Sequence, residues 1–250
     1  ASIKNMVFGQ LLGTGGQSAM DSGGAPTGCT TGDQACDFAS AILGSTEDVW
    51  AAQFANGAVP TYNAAPGAYQ QPVLVLFEGQ VSTGCGTAPS SVGPFYCPAD
   101  QRLYIDPSFY QVMEQRLRAP GDFAQAYVIA HEVGHHVQLL TGVAAQVREA
   151  QQRASQAQAN GLQVMMELQA DCYAGLWAHD SRDILEPGDI EEGLAAANAI
   201  GDDTLQKNSG RNANPESFTH GTSEQRVRWF TTGYRSGRMQ DCDTFSAAGL

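Results

Sequence analysis

The chain has 250 residues, of which 13 are basic and 26 acidic, and its formal net charge is -13. This charge repels a phosphate backbone, and no local cluster of Lys or Arg offsets it, so nucleic acid is not an expected partner. A chain of this length can bury a substantial core, as one domain or as two lobes that share a cleft. No apolar run reaches the length of a membrane span.

The N-terminal part of the sequence differs in composition from the rest. Residues 10–32 are dominated by Gly, Ser, Thr and Ala, which bury too little apolar surface to order a segment by packing. We therefore predict a Gly/Ser-rich N-terminal segment over residues 1–32, followed by one domain over residues 33–250. The chain begins at Ala1 rather than Met, and we expect any export signal or membrane anchor to lie upstream.

The first elements of the domain are predicted to be two short helices and two strands. Apolar residues recur near helical spacing between Asp33 and Phe54, and the run 44–47 (Gly-Ser-Thr-Glu) interrupts them with a capping signal. The β-branched and aromatic runs at 73–77 and 103–105 predict strands, because Gly-rich turns separate them.

From Asp106 onwards the pattern is helical. Asp106 and Pro107 are typical of a helix N-cap and first helical position. Strands followed by a long helical region predict an α+β fold, mostly helical with a small sheet. The predicted helices cover 107–118, 122–140, 143–178 with a break near Gly161, 187–206 and 223–236.

The run 131–135 (His-Glu-Val-Gly-His) falls within the second of these helices. Because residues four apart share one helix face, His131 and His135 can direct ring nitrogens at one metal ion. Glu132 projects about 100° round the helix, towards the open side of the ion, where a carboxylate can take a proton from water. This spacing predicts a catalytic zinc site on an active-site helix.

A catalytic zinc site typically takes three protein ligands, so one more is needed. Glu167 and Asp171 also lie four apart, in a largely apolar helical stretch where acids need partners. We assign Glu167 to the zinc and Asp171 to the free ring N–H of a ligating histidine. The reverse assignment of the two acids stays open.

The six cysteines form no CxxC pair and no zinc-finger spacing, which favours disulfides and an oxidising compartment. Six cysteines allow 15 pairings, and the sequence does not choose among them outright. Two close pairs flank Gly-rich turns, and the third pair follows by elimination. The expected disulfides are Cys29–Cys36, Cys85–Cys97 and Cys172–Cys242.

These motifs together resemble a known group of enzymes. The HExxH run followed by Glu167-xxx-Asp171 is similar to the gluzincin, or thermolysin-like, zinc metallopeptidases. The likeness to the bacterial neutral zinc metallopeptidase family extends from about residue 30 to the C-terminus. It rests on Phe95-Tyr96-Cys97-Pro98, Tyr104-Ile105-Asp106, residues 131–138, residues 167–175 and His220-Gly221-Thr222-Ser223-xx-Arg226.

The resemblance implies a zinc-dependent endopeptidase of the bacterial cell envelope or exterior, with a peptide or protein substrate. Members are often made with an N-terminal membrane segment. Glu167 lies 32 positions after His135, a longer gap than in thermolysin, and the role of the Gln- and Ala-rich helix in that gap is open.

The predicted chemistry is peptide hydrolysis by a metal-bound water, with Glu132 as general base. His220, on a Gly-flanked loop, is the candidate donor to the developing oxyanion, and Tyr173 is an alternative. A capping role of His220 at the helix that begins near Ser223 is an equal alternative. We expect the substrate to pair with an exposed sheet edge at 102–106.

Four further residues are interpreted as structural, namely His136, His179, Arg226 and Arg228. Two other functions remain: hydrolysis of another bond, such as a cell-wall amide or a small ester, and an exported non-catalytic domain with a structural or degenerate metal site.

Overall fold

The computed structural model describes residues 33–60, 67–119, 121–208 and 214–246. Helices dominate and the sheets are small, so the predicted α+β class is confirmed. The elements in chain order are α1 (Gln34–Ala55), β1 (Val73–Leu76), β2 (Gln80–Thr83), β3 (Gly86–Pro89), β4 (Phe95–Cys97), β5 (Arg102–Ile105), α2 (Ser108–Gln115), α3 (Asp122–Leu140), α4 (Val143–Gln152), α5 (Gln156–Asp180), α6 (Asp189–Ala199), α7 (Asp202–Asn208) and α8 (Ser223–Ser236).

In these described parts of the chain, no helix is both long enough and apolar enough to cross a bilayer. The predicted N-terminal segment over residues 1–32 lies outside the described residues and stays a prediction.

The main sheet has three strands in the order β1-β5-β4. Strand β5 pairs parallel with β1 and antiparallel with β4, so it is the central strand. The prediction that 102–106 forms an exposed edge for substrate is therefore wrong. Leu103 and Ile105 carry no exposed surface. Burial in the central strand explains the apolar run from which the sequence predicts a strand here. Strand β4 lies at the edge instead.

A separate antiparallel hairpin of β2 and β3 was not predicted. Its residues are mostly exposed and polar, so the sequence offers no hydrophobic alternation there. The Cys85–Cys97 disulfide joins this hairpin to β4.

Helix α1 is continuous, so the prediction of two short helices is wrong. The hydroxyl of Thr46 donates to the carbonyl of Leu43 at 2.6 Å, within the helix. The hydroxyl of Ser45 accepts from the indole N–H of Trp177 at 3.0 Å. The Thr46 hydroxyl bonds a carbonyl of the preceding turn, and the Ser45 hydroxyl bonds Trp177 on α5, so neither hydroxyl caps a new helix, and packing keeps α1 continuous.

One predicted helix is divided at another place than expected, and a second is divided where no break was predicted. The helix over 143–178 breaks between α4 and α5 rather than at Gly161, because Ser155 and Gln158 form a capping box that starts α5. The helix over 187–206 breaks between α6 and α7. At that break a Cβ on Gly201 would overlap the backbone of Ser223, so the chain must turn closely around α8 there.

Glycines bring three long helices close together. A Cβ on Gly134 of α3 would lie 3.1 Å from the Cα of Ala170 on α5. On the other side of α5, Gly175 faces the carbonyl of Phe230 on α8, and Gly233 of α8 faces the carbonyl of Cys172. This close approach places the acids of α5 directly against the histidines of α3.

Candidate metal centre

The three predicted zinc ligands meet at the contact between α3 and α5. The Nε2 atoms of His131 and His135 lie 3.1 Å and 3.5 Å from the same carboxylate oxygen of Glu167. The three candidate ligand atoms all lie within 4.8 Å of one another. The helical spacing on α3 places the two imidazoles on one face. The close contact of α3 with α5 at Gly134 brings the carboxylate of Glu167 to them.

The donor set fits a catalytic zinc ion. Two imidazole nitrogens and one carboxylate oxygen match the known composition of such sites, which keep a fourth position for water or substrate. The second nitrogen of each ring is already engaged: Nδ1 of His131 lies 2.8 Å from Asp171, and Nδ1 of His135 lies 2.9 Å from the side-chain oxygen of Gln138. With Nδ1 as the donor in both rings, both Nε2 lone pairs face the cluster.

Asp171 is fully buried and surrounded by donors. Arg226 donates to its two carboxylate oxygens from Nε at 2.8 Å and from a terminal nitrogen at 2.9 Å, and the hydroxyl of Tyr127 also donates to it. Because Asp171 faces the far nitrogen of His131, the arrangement supports Glu167 rather than Asp171 as the third ligand.

Charges within the cluster shift its titration strongly. Burial opposes the charged form of His131, but Asp171 and Glu167 outweigh burial and raise the pKa of His131 to about 10. Burial also opposes ionisation of Glu167, yet the two imidazoles hold the pKa of Glu167 well below its usual value. The site thus favours positive charge at the position where the three side chains converge.

A cavity of about 540 Å³ opens beside the cluster, within the size range typical of ligand sites. Glu132 reaches this cavity, is 8% exposed, and has no hydrogen-bond partner among the described residues. Its carboxylate is therefore available for chemistry rather than committed to the fold. Other residues that line the cavity are Val92, Phe95, Tyr96, Phe109, Val147, Arg148, Met166, Leu205, His220 and Arg226.

His220 lines the same cavity and contacts Asp202. Oδ1 of Asp202 is 3.3 Å from Nδ1 of His220, and this hydrogen bond raises the pKa of His220. The other oxygen of Asp202 accepts the backbone N–H groups of Thr219, His220 and Gly221. Thr222, not His220, caps α8, so the geometry gives no support to the capping interpretation.

Other histidines and Tyr173 lie away from the cluster. Tyr173 is fully buried and packs its ring against Trp50 at 5.3 Å, so the structure does not bring this alternative donor to the cavity. His136 is buried, with Nδ1 2.8 Å from the hydroxyl of Tyr96. His179 lies at the end of α5 and contacts the carbonyl of Tyr234 at 2.7 Å.

Sequence reasoning missed three residues that support the cluster. Tyr127 lies four positions before His131, and Gln138 lies three positions after His135, so both share a helix face with a candidate ligand. That spacing is a signal that could have found them. Arg226 is predicted only as a structural residue, and its place beside the cluster was missed: it is 2% exposed and pairs with Asp171.

Two of the three expected disulfides are present, Cys85–Cys97 and Cys172–Cys242. Cys29 lies outside the described residues, so its pairing with Cys36 stays a prediction. Disulfides of this kind are typical of oxidising compartments.

Comparison with known proteins gives one family. The family described as "Putative neutral zinc metallopeptidase" matches residues 5–245. Uncharacterized protein YpfJ of Escherichia coli K12 is 54% identical over 215 residues, which cover 85% of this chain and 72% of YpfJ. Uncharacterized protein Mb2605 of Mycobacterium bovis is 49% identical over 195 residues, which cover 73% of this chain and 65% of Mb2605. No solved structure matches the chain.

Proposed function

The chain belongs to the neutral zinc metallopeptidase family, and from this premise we propose that it is a zinc-dependent endopeptidase of the gluzincin type. His131, His135 and Glu167 hold the metal, and Glu132 is the general base. The observation that carries the proposal is the convergence of three ligand atoms within 4.8 Å at a cavity that Glu132 also reaches. A purely structural site would not need a free carboxylate beside an open cavity.

Each residue of the site has a separate task. Bound zinc supplies Lewis acidity, which polarises the peptide carbonyl and lowers the pKa of a water. Glu132 removes a proton from a water in the cavity as the oxygen of this water attacks the carbonyl carbon. The C–N bond then breaks, and Glu132 delivers the proton to the leaving amine. His220 donates a hydrogen bond to the oxygen on which charge develops.

The supporting residues fix this geometry. Asp171 holds the His131 ring through Nδ1, and Arg226 balances the buried charge of Asp171. His220 is held by Asp202, which keeps a proton on the imidazole to higher pH.

The substrate lies along β4 in this proposal. Strand β4 is an edge strand, and Phe95 and Tyr96 line the cavity next to the catalytic helix. An extended peptide can add to such an edge through main-chain hydrogen bonds. Val92 and Leu205, which are 59% and 39% exposed, border the same cavity and offer apolar contacts to substrate side chains.

We place the protein outside the bacterial cytoplasm, in the envelope or secreted. The two disulfides support an oxidising compartment. A peptide or protein of the envelope or the exterior is the corresponding substrate class.

Digestion of a mixed peptide library tests the function. We expect internal cleavage with zinc, read by mass spectrometry, and no cleavage after a chelator removes the metal. The Glu132→Gln variant is the matched control, because it keeps all three metal ligands. A zinc-loaded protein that cleaves neither peptides nor small esters would instead match a non-catalytic domain with a structural metal.

A further inference from the structure

The two candidate zinc histidines are held by different chemistry. His131 contacts the charged carboxylate of Asp171, whereas His135 contacts the neutral amide of Gln138. Gln138 has no exposed surface, so its amide must find its hydrogen-bond partners within the protein. The amide of Gln138 must present its oxygen to His135 if the Nε2 lone pair of that ring is to face a metal.

The orientation of Gln138 is fixed by two acceptors on α5. Its NH2 group donates to the backbone carbonyl of Met166 at 2.8 Å and to the side-chain oxygen of Gln169 at 3.0 Å. Both amide protons are thereby used. A flip of the Gln138 amide would set its oxygen against two acceptors and its NH2 group against the N–H of His135, at a fully buried place.

Gln169 is oriented in turn by the backbone. Its NH2 group donates to the carbonyl of Cys242 at 3.1 Å. A backbone carbonyl can only accept, so the NH2 group of Gln169 must point towards Cys242 and its side-chain oxygen towards Gln138. The hydrogen bonds therefore run in one direction, from His135 through Gln138 and Gln169 to Cys242.

The last acceptor in this series of hydrogen bonds is the carbonyl of Cys242, a residue that a disulfide attaches to α5. Cys242 is bonded to Cys172, which lies on α5 three residues after Gln169. Two residues further on, the hydroxyl of Thr244 donates to the carbonyl of Met165 at 2.7 Å, outside this series of amide hydrogen bonds. The disulfide thus keeps the Cys242 carbonyl in place against α5.

We propose that Gln138 and Gln169 are positioning residues, which transmit the position of the Cys242 carbonyl to the ring of His135, and that the Cys172–Cys242 disulfide thereby sets how tightly the site holds zinc. The inference rests on the proposed metal site. It adds that zinc affinity depends on the redox state of a disulfide that touches no ligand directly.

Zinc affinity is measured by competition with a chromogenic chelator, which needs no substrate. We expect Gln138→Leu to weaken zinc binding by about 10- to 100-fold, the usual effect of losing an outer partner of a metal-bound histidine. Gln169→Leu is expected to weaken it by a smaller factor. Thr244→Val is the matched control: it removes a buried hydrogen bond of the same segment outside the amide chain, and zinc affinity should stay within twofold.

A second pair of variants tests the disulfide. The double variant Cys172→Ser/Cys242→Ser should bind zinc more weakly than wild type, and Cys85→Ser/Cys97→Ser should not. In the zinc-loaded protein, the Nδ1 proton resonance of His135 should be lost in Gln138→Leu and retained in Thr244→Val. This NMR signal separates a change at the ring from a general loss of stability.

Unchanged zinc affinity in Gln138→Leu, or an equal loss in Thr244→Val and Gln169→Leu, would overturn the inference. Neither result bears on peptide cleavage by the wild type, which tests the proposed function by itself. A wild-type protein that binds no zinc would overturn both.

Discussion

Nδ1 of His131 lies 2.8 Å from Oδ1 of Asp171, and the side chain of Asp171 has no exposed surface. This contact connects a candidate zinc ligand to a buried ion pair, since Arg226 binds the same carboxylate. The position of the metal and the stability of the helical core therefore depend on the same group.

Glu132→Gln should abolish peptide cleavage and leave zinc binding intact. The amide keeps the size of the side chain but cannot accept a proton from water, and general-base catalysis contributes about 10²- to 10⁴-fold to a rate. Cleavage rate and zinc content per chain, measured on one preparation, check this. Equal turnover by the variant would remove Glu132 from the mechanism.

Arg226→Met should lower the free energy of unfolding by about 3–5 kcal/mol, because it leaves the buried carboxylate of Asp171 without its charged partner. Arg228→Met on the same helix is the control. Arg228 is exposed, so its replacement should change stability by less than about 0.5 kcal/mol. Urea unfolding followed by circular dichroism gives both values; similar values for the two variants would contradict the assigned role of Arg226.

His220→Ala should lower kcat by about 10²- to 10³-fold, the effect of losing one oxyanion donor, with zinc affinity unchanged. A loss of zinc affinity together with kcat would indicate that His220 supports the metal instead.

Asp202→Asn should shift the pH dependence of kcat. Asp202 raises the pKa of His220 above 6.5, so protonated His220 persists above that pH and is lost as the pH rises through the raised value. Removing the charge of Asp202 should move this alkaline loss of activity to lower pH. An unchanged profile would exclude His220 as the group that titrates.

Two glycines of α5 should respond oppositely to alanine. A Cβ at Gly175 would overlap the carbonyl of Phe230, so Gly175→Ala should push α8 away and destabilise the protein. A Cβ at Gly161 meets nothing within 4 Å, so Gly161→Ala should stabilise α5 by about 0.4–1 kcal/mol. Thermal unfolding of the two variants measures both; destabilisation by Gly161→Ala would show that its surroundings are closer than described.

The sequence predicted the helix that carries His131 and His135 well and the sheet poorly, for physical reasons. The spacing of His131 and His135 is fixed by the helical repeat, so it needed no knowledge of the fold. Which strand lies at the edge depends on pairing between distant segments, and β4 has only three residues, too few for a pattern.

The helix breaks were wrong for a related reason. Gly161 is tolerated inside α5 because nothing crowds it, while Ser155 and Gln158 start the helix through a capping box, a local spacing signal that the prediction overlooked. Likewise, Arg226 becomes part of the site only because α8 packs closely against α5 at Gly175 and Gly233. Such contacts depend on the packing of distant segments, so no local motif predicts them.

The most direct test of the central claim is zinc-edge anomalous diffraction from crystals of protein supplied with the metal. We expect one zinc ion bound by Nε2 of His131, Nε2 of His135 and a carboxylate oxygen of Glu167, with one further position open to the cavity and Glu132 beside it. An ion at this place with four protein ligands, or no ion among these three side chains, would contradict the account.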